Sequence, residues 1–288
     1  MSSLSRGQCV QLACMWEASA RKAGNVHPGA GFSNLQFPDF LSSAMVIGPV
    51  FECAGQQPVG DTVLQAIRTT RTVVRTNTNL GIVLLLAPLA APEPEELTTE
   101  NMLNSLSELT VDDSVKVYEA IRLANPGGLK QVREQDVSKA PTLPLQEIMA
   151  LSAKQDRIAE QYVSGFADIL DKALDEFLEG LQGLNCLENA IINCQLNLLA
   201  RHEDSLIRRK RGHSEAKHVS LMARKVLQSG WPIRKQGQVA FRELDDFLRA
   251  EGHERNPGTT ADLVTACLFV ALRKDKITLP LSMPWSDG

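Results

Sequence analysis

The sequence predicts an all-α fold, a single-domain multi-helix bundle. Apolar residues recur at three- and four-residue steps from end to end. Alternating β-branched runs bounded by tight hairpin turns are missing. The chain has 288 residues, 43% hydrophobic and 22% charged, which is ordinary for a globular protein able to bury a sizeable core. No repeat of solenoid period is visible, and no shift in composition marks a domain boundary.

The periodicity predicts helices over 4–22, 38–55, 60–76, 79–90, 99–107, 112–124, 144–182, 186–202, 213–229, 239–251 and 258–274. Pro38 suits the first turn of its helix, where a missing N–H has no consequence. Leu80 to Ala90 is the most apolar stretch and reads as a buried core helix. It has about half of the roughly 20 residues needed to span a bilayer. Thr98 or Thr99 can cap the helix that follows the Pro/Glu-rich linker 91–96. Leu145, Ile148, Met149, Leu151, Ile158 and Tyr162 lay an apolar stripe along one helix of unusual length, expected to run through the core. Segment 125–143, rich in Pro, Gly and Lys, is the longest break.

A net charge of -4 argues against a nucleic-acid partner, because phosphate-backbone affinity needs clustered Lys and Arg in surplus. No membrane partner is expected either. The N-terminus lacks the successive sections of a signal peptide, and the six cysteines include no CxxC pair; both features suit a cytoplasmic protein.

Polar clusters interrupt this helical pattern where the chain would turn. Arg21-Lys22-Ala23-Gly24-Asn25-Val26-His27 follows the first helix, behind Glu17. Asn77-Thr78-Asn79-Leu80-Gly81 opens the most apolar helix, where free backbone N–H groups can receive a phosphate or carboxylate, or where Asn77 or Thr78 simply caps. Asn125-Pro126-Gly127-Gly128-Leu129 ends a helix and reads equally as a glycine stop signal. His202-Glu203-Asp204, followed by Arg208-Arg209-Lys210-Arg211, joins carboxylates suited to Mg²⁺ with cations able to neutralise a polyphosphate. The competing reading is a solvated charge run on a surface loop. Asn256-Pro257-Gly258-Thr259-Thr260-Ala261-Asp262 begins another apolar helix; its threonines read as caps, and its aspartate either favours the helix dipole or faces a metal. No Walker loop, nucleophile elbow or cysteine-protease signature is present.

In this order, Gly24-Asn25-Val26-His27, Asn77 to Gly81, Glu203-Asp204 with Arg208 to Gly212, and Asn256 to Asp262 resemble the triphosphoribosyl-dephospho-CoA synthase family over residues 10–275. The chain looks closer to a divergent archaeal, methanopterin-associated branch than to the namesake enzymes, since position 80 is Leu where those enzymes carry Lys. The resemblance implies an all-helical transferase that uses ATP and Mg²⁺. Such an enzyme joins a triphosphoribosyl unit to the ribose of dephospho-CoA, releasing adenine and making a prosthetic-group precursor.

On that reading Asp204 and Asp262 hold Mg²⁺, with Glu203 assisting in catalysis, and Glu17 and His27 do acid/base work. Lys22, Asn25, Asn77, Thr78, Asn79, Arg208, Arg209, Arg211, Asn256 and Thr259 bind substrate and its phosphates. The alternatives are a Mg²⁺-dependent hydrolase of a nucleotide or ribosyl bond and a non-catalytic nucleotide-binding protein. A homodimer is expected if an apolar helix face is exposed.

Overall fold

The computed structural model describes residues 4–127 and 134–286, and among them the regular structure is helical, with only two isolated bridges, His27 with Ala30 and Phe32 with Leu35. The first half comprises α1 (Arg6–Ser19), α2 (Phe37–Glu52), α3 (Val59–Val73), α4 (Leu80–Ala90), α5 (Thr99–Ser107) and α6 (Val111–Ala124). The second comprises α7 (Leu145–Ser152), α8 (Arg157–Ser164), α9 (Leu174–Leu184), α10 (Leu187–Arg201), α11 (Ser205–Arg211), α12 (His213–Gln228), α13 (Lys235–Arg249) and α14 (Gly258–Arg273). No helix among the described residues is long and apolar enough to cross a membrane.

Local signals explain most of these boundaries. Ser5 opens α1 with a reciprocal capping box to Gln8, and Pro38 lies in the first turn of α2. Thr98 caps α5 by accepting from the Asn101 N–H. Asn125 ends α6 in the left-handed region, at φ 46°, so an asparagine supplies the stop there; Gly128 and Leu129 of that cluster lie outside the described residues.

The long helix expected over 144–182 is instead divided into α7, α8 and α9. The polar run Lys154-Gln155-Asp156 interrupts it, and Asp156 starts α8 by accepting from the Ile158 and Ala159 N–H groups. Gly165 then stops α8 at φ 62°, and a π-helical stretch, Asp168–Ala173, leads into α9. The apolar stripe is real within each piece, but a strong cap and a left-handed glycine outrank periodicity across the joins. The cationic run Arg208 to Arg211, weighed above as a surface loop, lies in α11.

Helix α10 is the wall between two apolar cores. Leu187, Ala190, Ile191, Cys194 and Leu198 face the larger core, built around α1, α2, α4 and α14. Ile192, Leu196, Leu199 and Ala200 face the smaller one, shared with α12 and α13. Every residue of α4 except Gly81 is buried, as its apolar sequence predicts. That exception matters, because Gly81 is where the core helix meets the cavity.

Candidate active site

A single carboxylate fixes the geometry of this region. Asp204 precedes α11 and its Oδ1 accepts from the Leu206 and Ile207 N–H groups at 2.9 and 3.0 Å. Its Oδ2 accepts from the Thr260 N–H and hydroxyl, both at 2.7 Å. One aspartate therefore satisfies the otherwise free N–H groups of two helix starts, α11 and α14, each cap being worth about 1 kcal/mol. Burial pushes the Asp204 carboxyl up, against the lowering effect of those hydrogen bonds. The first turn of α14 is thus capped from outside, and its own threonines are not the caps.

The chain before α2 is tied to the same place. Asn25 donates to the Asn256 side chain at 2.7 Å and accepts from Gln195 of α10 at 2.8 Å. Gly24, at φ +72°, donates its N–H to Asp245 at 2.7 Å. A β-carbon there would lie 2.7 Å from Leu248 and 2.9 Å from Pro257, so only glycine lets this turn approach α13 and the start of α14. Distant turns of the sequence are brought together by side-chain amides.

Between them lies a cavity of about 1520 Å³. Its walls come from the ends of α1 and α3, the start of α4, from α6, α7, α8 and α11, and from the turn before α14 and the first residues of α14 itself. Of the residues predicted from the sequence, Glu17, Asn25, Asn77, Thr78, Asn79, Arg208, Arg209, Asn256, Thr259 and Asp262 line it.

Asp262 is the central group. It makes no hydrogen bond or ion pair among the described residues, and its carboxyl is pushed well up by burial and by the like charges of Glu17, Asp204 and Asp156. Gly81 makes room for it: a β-carbon on Gly81 would fall 1.9 Å from Asp262 Oδ2. The start of α4 expected to receive an anion is therefore faced by the protein's own carboxylate. Around it Asn77 accepts from the Leu80 N–H at 3.1 Å, Thr78 shares a 2.5 Å hydrogen bond with Ser43, and Asn79 donates to Thr70 at 2.9 Å. These side chains shape the turn first.

Glu17 is buried and paired with Lys22 at 2.9 Å. On α11, Arg209 is held by Asp156 at 2.9 Å, whereas Arg208 is half-exposed and lies 3.6 Å from Glu203.

Other predicted residues stand apart. Lys22 is completely enclosed by its pairing with Glu17 and cannot reach a phosphate. Arg211 turns away to Glu215 and Glu251, at 3.3 and 2.9 Å. Glu203 lines a smaller neighbouring crevice and bonds His213 at 2.8 Å, while His27 faces its own loop, accepting from the Gly29 N–H at 3.1 Å. Burial and Arg249 lower the His27 imidazole, keeping it neutral near pH 7. Asp204 does not line the cavity, and its oxygens are taken up by the caps.

Sequence reasoning also missed contributors. Asp156 lines the cavity and was hidden inside the supposed long helix, although its polar neighbours were the available signal. Arg71, Arg75 and Arg122 line it too, and as single charges at helix ends they had no signal at all.

The ATP:dephospho-CoA triphosphoribosyl transferase (CitG) profile matches residues 3–279, nearly the whole chain. The chain belongs to the CitG family. A crystal structure from Archaeoglobus fulgidus, described provisionally as a triphosphoribosyl-dephospho-CoA synthase, is similar at 26% identity with a TM-score of 0.61. The match covers 81% of this chain and 98% of that one. A search of curated proteins gives no match. As a CitG-family transferase the chain needs a site for a donor and an acceptor, and the cavity described above brings residues of all five polar clusters to one place.

Proposed function

We propose that this chain transfers a triphosphoribosyl unit from ATP to a hydroxyl of a dephospho-CoA-like acceptor, releasing adenine, in the biosynthesis of a prosthetic group or cofactor. The observation that carries this is the convergence of partnerless Asp262, buried Glu17 and the cationic face of α11 on one cavity. In the reaction the bond from C1′ to the adenine nitrogen breaks and its electron pair leaves with the base. The acceptor oxygen bonds to C1′ and gives up its proton, so the balance needs one proton acceptor and one group to offset positive charge on the ribose.

Glu17 faces that centre in this reading, its carboxylate held in place by Lys22, and either offsets the developing charge or takes the proton. Arg208 and Arg209 hold the triphosphate, with Asp156 fixing the direction of Arg209. Asn25, Asn256 and Thr259 frame the pocket, and Asp204 is a positioning residue that sets α11 against α14.

Mg²⁺ fits this donor set. No group of three or more potential ligands converges among the described residues. A magnesium ion brought in on a polyphosphate takes only one or two carboxylates from the protein, and Asp262 would supply one as a hard oxygen donor, Glu17 being already paired with Lys22. When bound, the ion would neutralise phosphate charge and relieve the crowding of carboxylates around Asp262.

The cavity volume favours transfer over hydrolysis. At about 1520 Å³ it exceeds the roughly 300–1,000 Å³ usual for one small ligand, leaving space for a second. Incubation with ATP, Mg²⁺ and dephospho-CoA is expected to release adenine, detected by chromatography, only when the acceptor is present. Equal release without acceptor would instead establish a hydrolase, and ATP binding without any adenine would leave a non-catalytic binding protein.

A further inference from the structure

The cations of the cavity fall into two sets that differ in both position and partners. On α11, Arg208, Arg209 and Lys210 each have a carboxylate within reach, Glu203 at 3.6 Å, Asp156 at 2.9 Å and Glu254 at 3.7 Å. The second set is Arg71 near the end of α3, Arg75 just beyond it, and Arg122 in the last turn of α6. Helices α3 and α6 pack against each other, so these arginines belong to a different wall from α11. All three are exposed, all line the cavity, and none forms an ion pair among the described residues. Arg71 donates to the Arg75 backbone carbonyl, and Arg122 donates to the Val137 carbonyl at 2.7 Å, which leaves guanidinium N–H groups free on each.

Three arginines that line one cavity without an ion-pair partner among the described residues make a cationic wall, which suits an anion with several acceptor oxygens. A bidentate match to phosphate is the usual use of such guanidinium groups. Asp136 turns an oxygen to the Ser138 N–H and hydroxyl, at 2.9 and 2.5 Å, and Glu134 makes no ion pair with them. Next to the arginines the wall becomes apolar, with Ile121, Ile148, Met149 and half-exposed Leu151.

We infer that Arg71, Arg75 and Arg122 form the acceptor subsite, receiving the diphosphate of a nucleotide-type acceptor whose less polar body lies along Ile121, Ile148 and Leu151. This rests on the transferase reading above and extends it by separating donor from acceptor. The donor triphosphate occupies the α11 side, and the acceptor enters past the ends of α3 and α6.

Isothermal calorimetry on the full chain tests this, using dephospho-CoA and ATP as separate titrants with Mg²⁺ present. The variants are R75Q alone, whose side chain makes no hydrogen bond or ion pair among the described residues, and R71Q/R75Q/R122Q combined. The expected loss of dephospho-CoA affinity is roughly tenfold per arginine, with ATP affinity within about threefold of the parent. R208Q/R209Q is expected to show the reverse. Unchanged dephospho-CoA binding in the triple variant, equal loss of both ligands, or no dephospho-CoA binding by the parent protein would each overturn the subsite. An arginine-dependent dephospho-CoA site without adenine release would defeat the transferase reading and leave the subsite standing. Adenine release with unaltered variant binding would do the opposite.

Discussion

Asp262→Asn is expected to lower kcat/KM for adenine release at least about 10³-fold, equivalent to roughly 4 kcal/mol of transition-state stabilisation. The substitution keeps size and shape and removes only the charge. Because Asp262 makes no hydrogen bond or ion pair among the described residues, no structural contact is lost. Its carboxyl is also crowded by Glu17, Asp204 and Asp156, so the neutral amide relieves repulsion. The melting temperature should therefore stay level or rise while activity collapses. A half-buried carboxylate kept at a repulsive position without partners among the described residues is explained by the ligand it meets. Activity within tenfold of the parent, measured by chromatography beside a thermal melt, would remove Asp262 from the mechanism.

Gly81→Ala should be nearly as damaging, for a steric reason. The added carbon would sit 1.9 Å from Oδ2 and 2.5 Å from Cγ of Asp262, and 2.8 Å from Ile158 Cδ1. The carboxylate is the more mobile neighbour, so it rotates out of place. Alanine favours a helix over glycine by roughly 1 kcal/mol, which offsets the strain, and the fold should survive with little change in stability. Activity is expected to fall at least about 10²-fold, because a misplacement of this size at a reacting centre has that effect. Parent-like turnover in Gly81→Ala would show that the contact between α4 and α14 has no part in catalysis.

Asp262 and Gly81 were legible in the sequence for different reasons. Helices α4 and α14 stood out as apolar runs, and the polar turns before them marked where side chains could gather. What the linear pattern lacked was direction. Asp204 looked like a metal ligand because it is acidic and stands before a cationic run, yet its oxygens cap two helices that meet only in three dimensions. Lys22 looked like a phosphate ligand, yet the end of α1 encloses it with Glu17.

Periodicity also misled where it was locally sound. Met149 and Tyr162 both belong to the core, but Asp156 and Gly165 break the helix between and after them. Asp156 then becomes a cavity residue that holds Arg209. Arg71, Arg75 and Arg122 gave no warning, since one arginine near a helix end ordinarily means a favourable dipole and nothing more. Their shared cavity is a property of how α3 packs on α6, which no spacing in the sequence encodes.

On the proposed mechanism, metal-chelated ATP occupies the cavity between α4, α11 and α14, and the acceptor enters from α3 and α6. A crystal structure with ATP and Mg²⁺ soaked in tests it most directly. The expected result is the metal on Asp262, the triphosphate against Arg208 and Arg209, and C1′ open toward Arg75 and Arg122. A triphosphate bound outside this cavity, or a metal held with no contribution from Asp262, would contradict it.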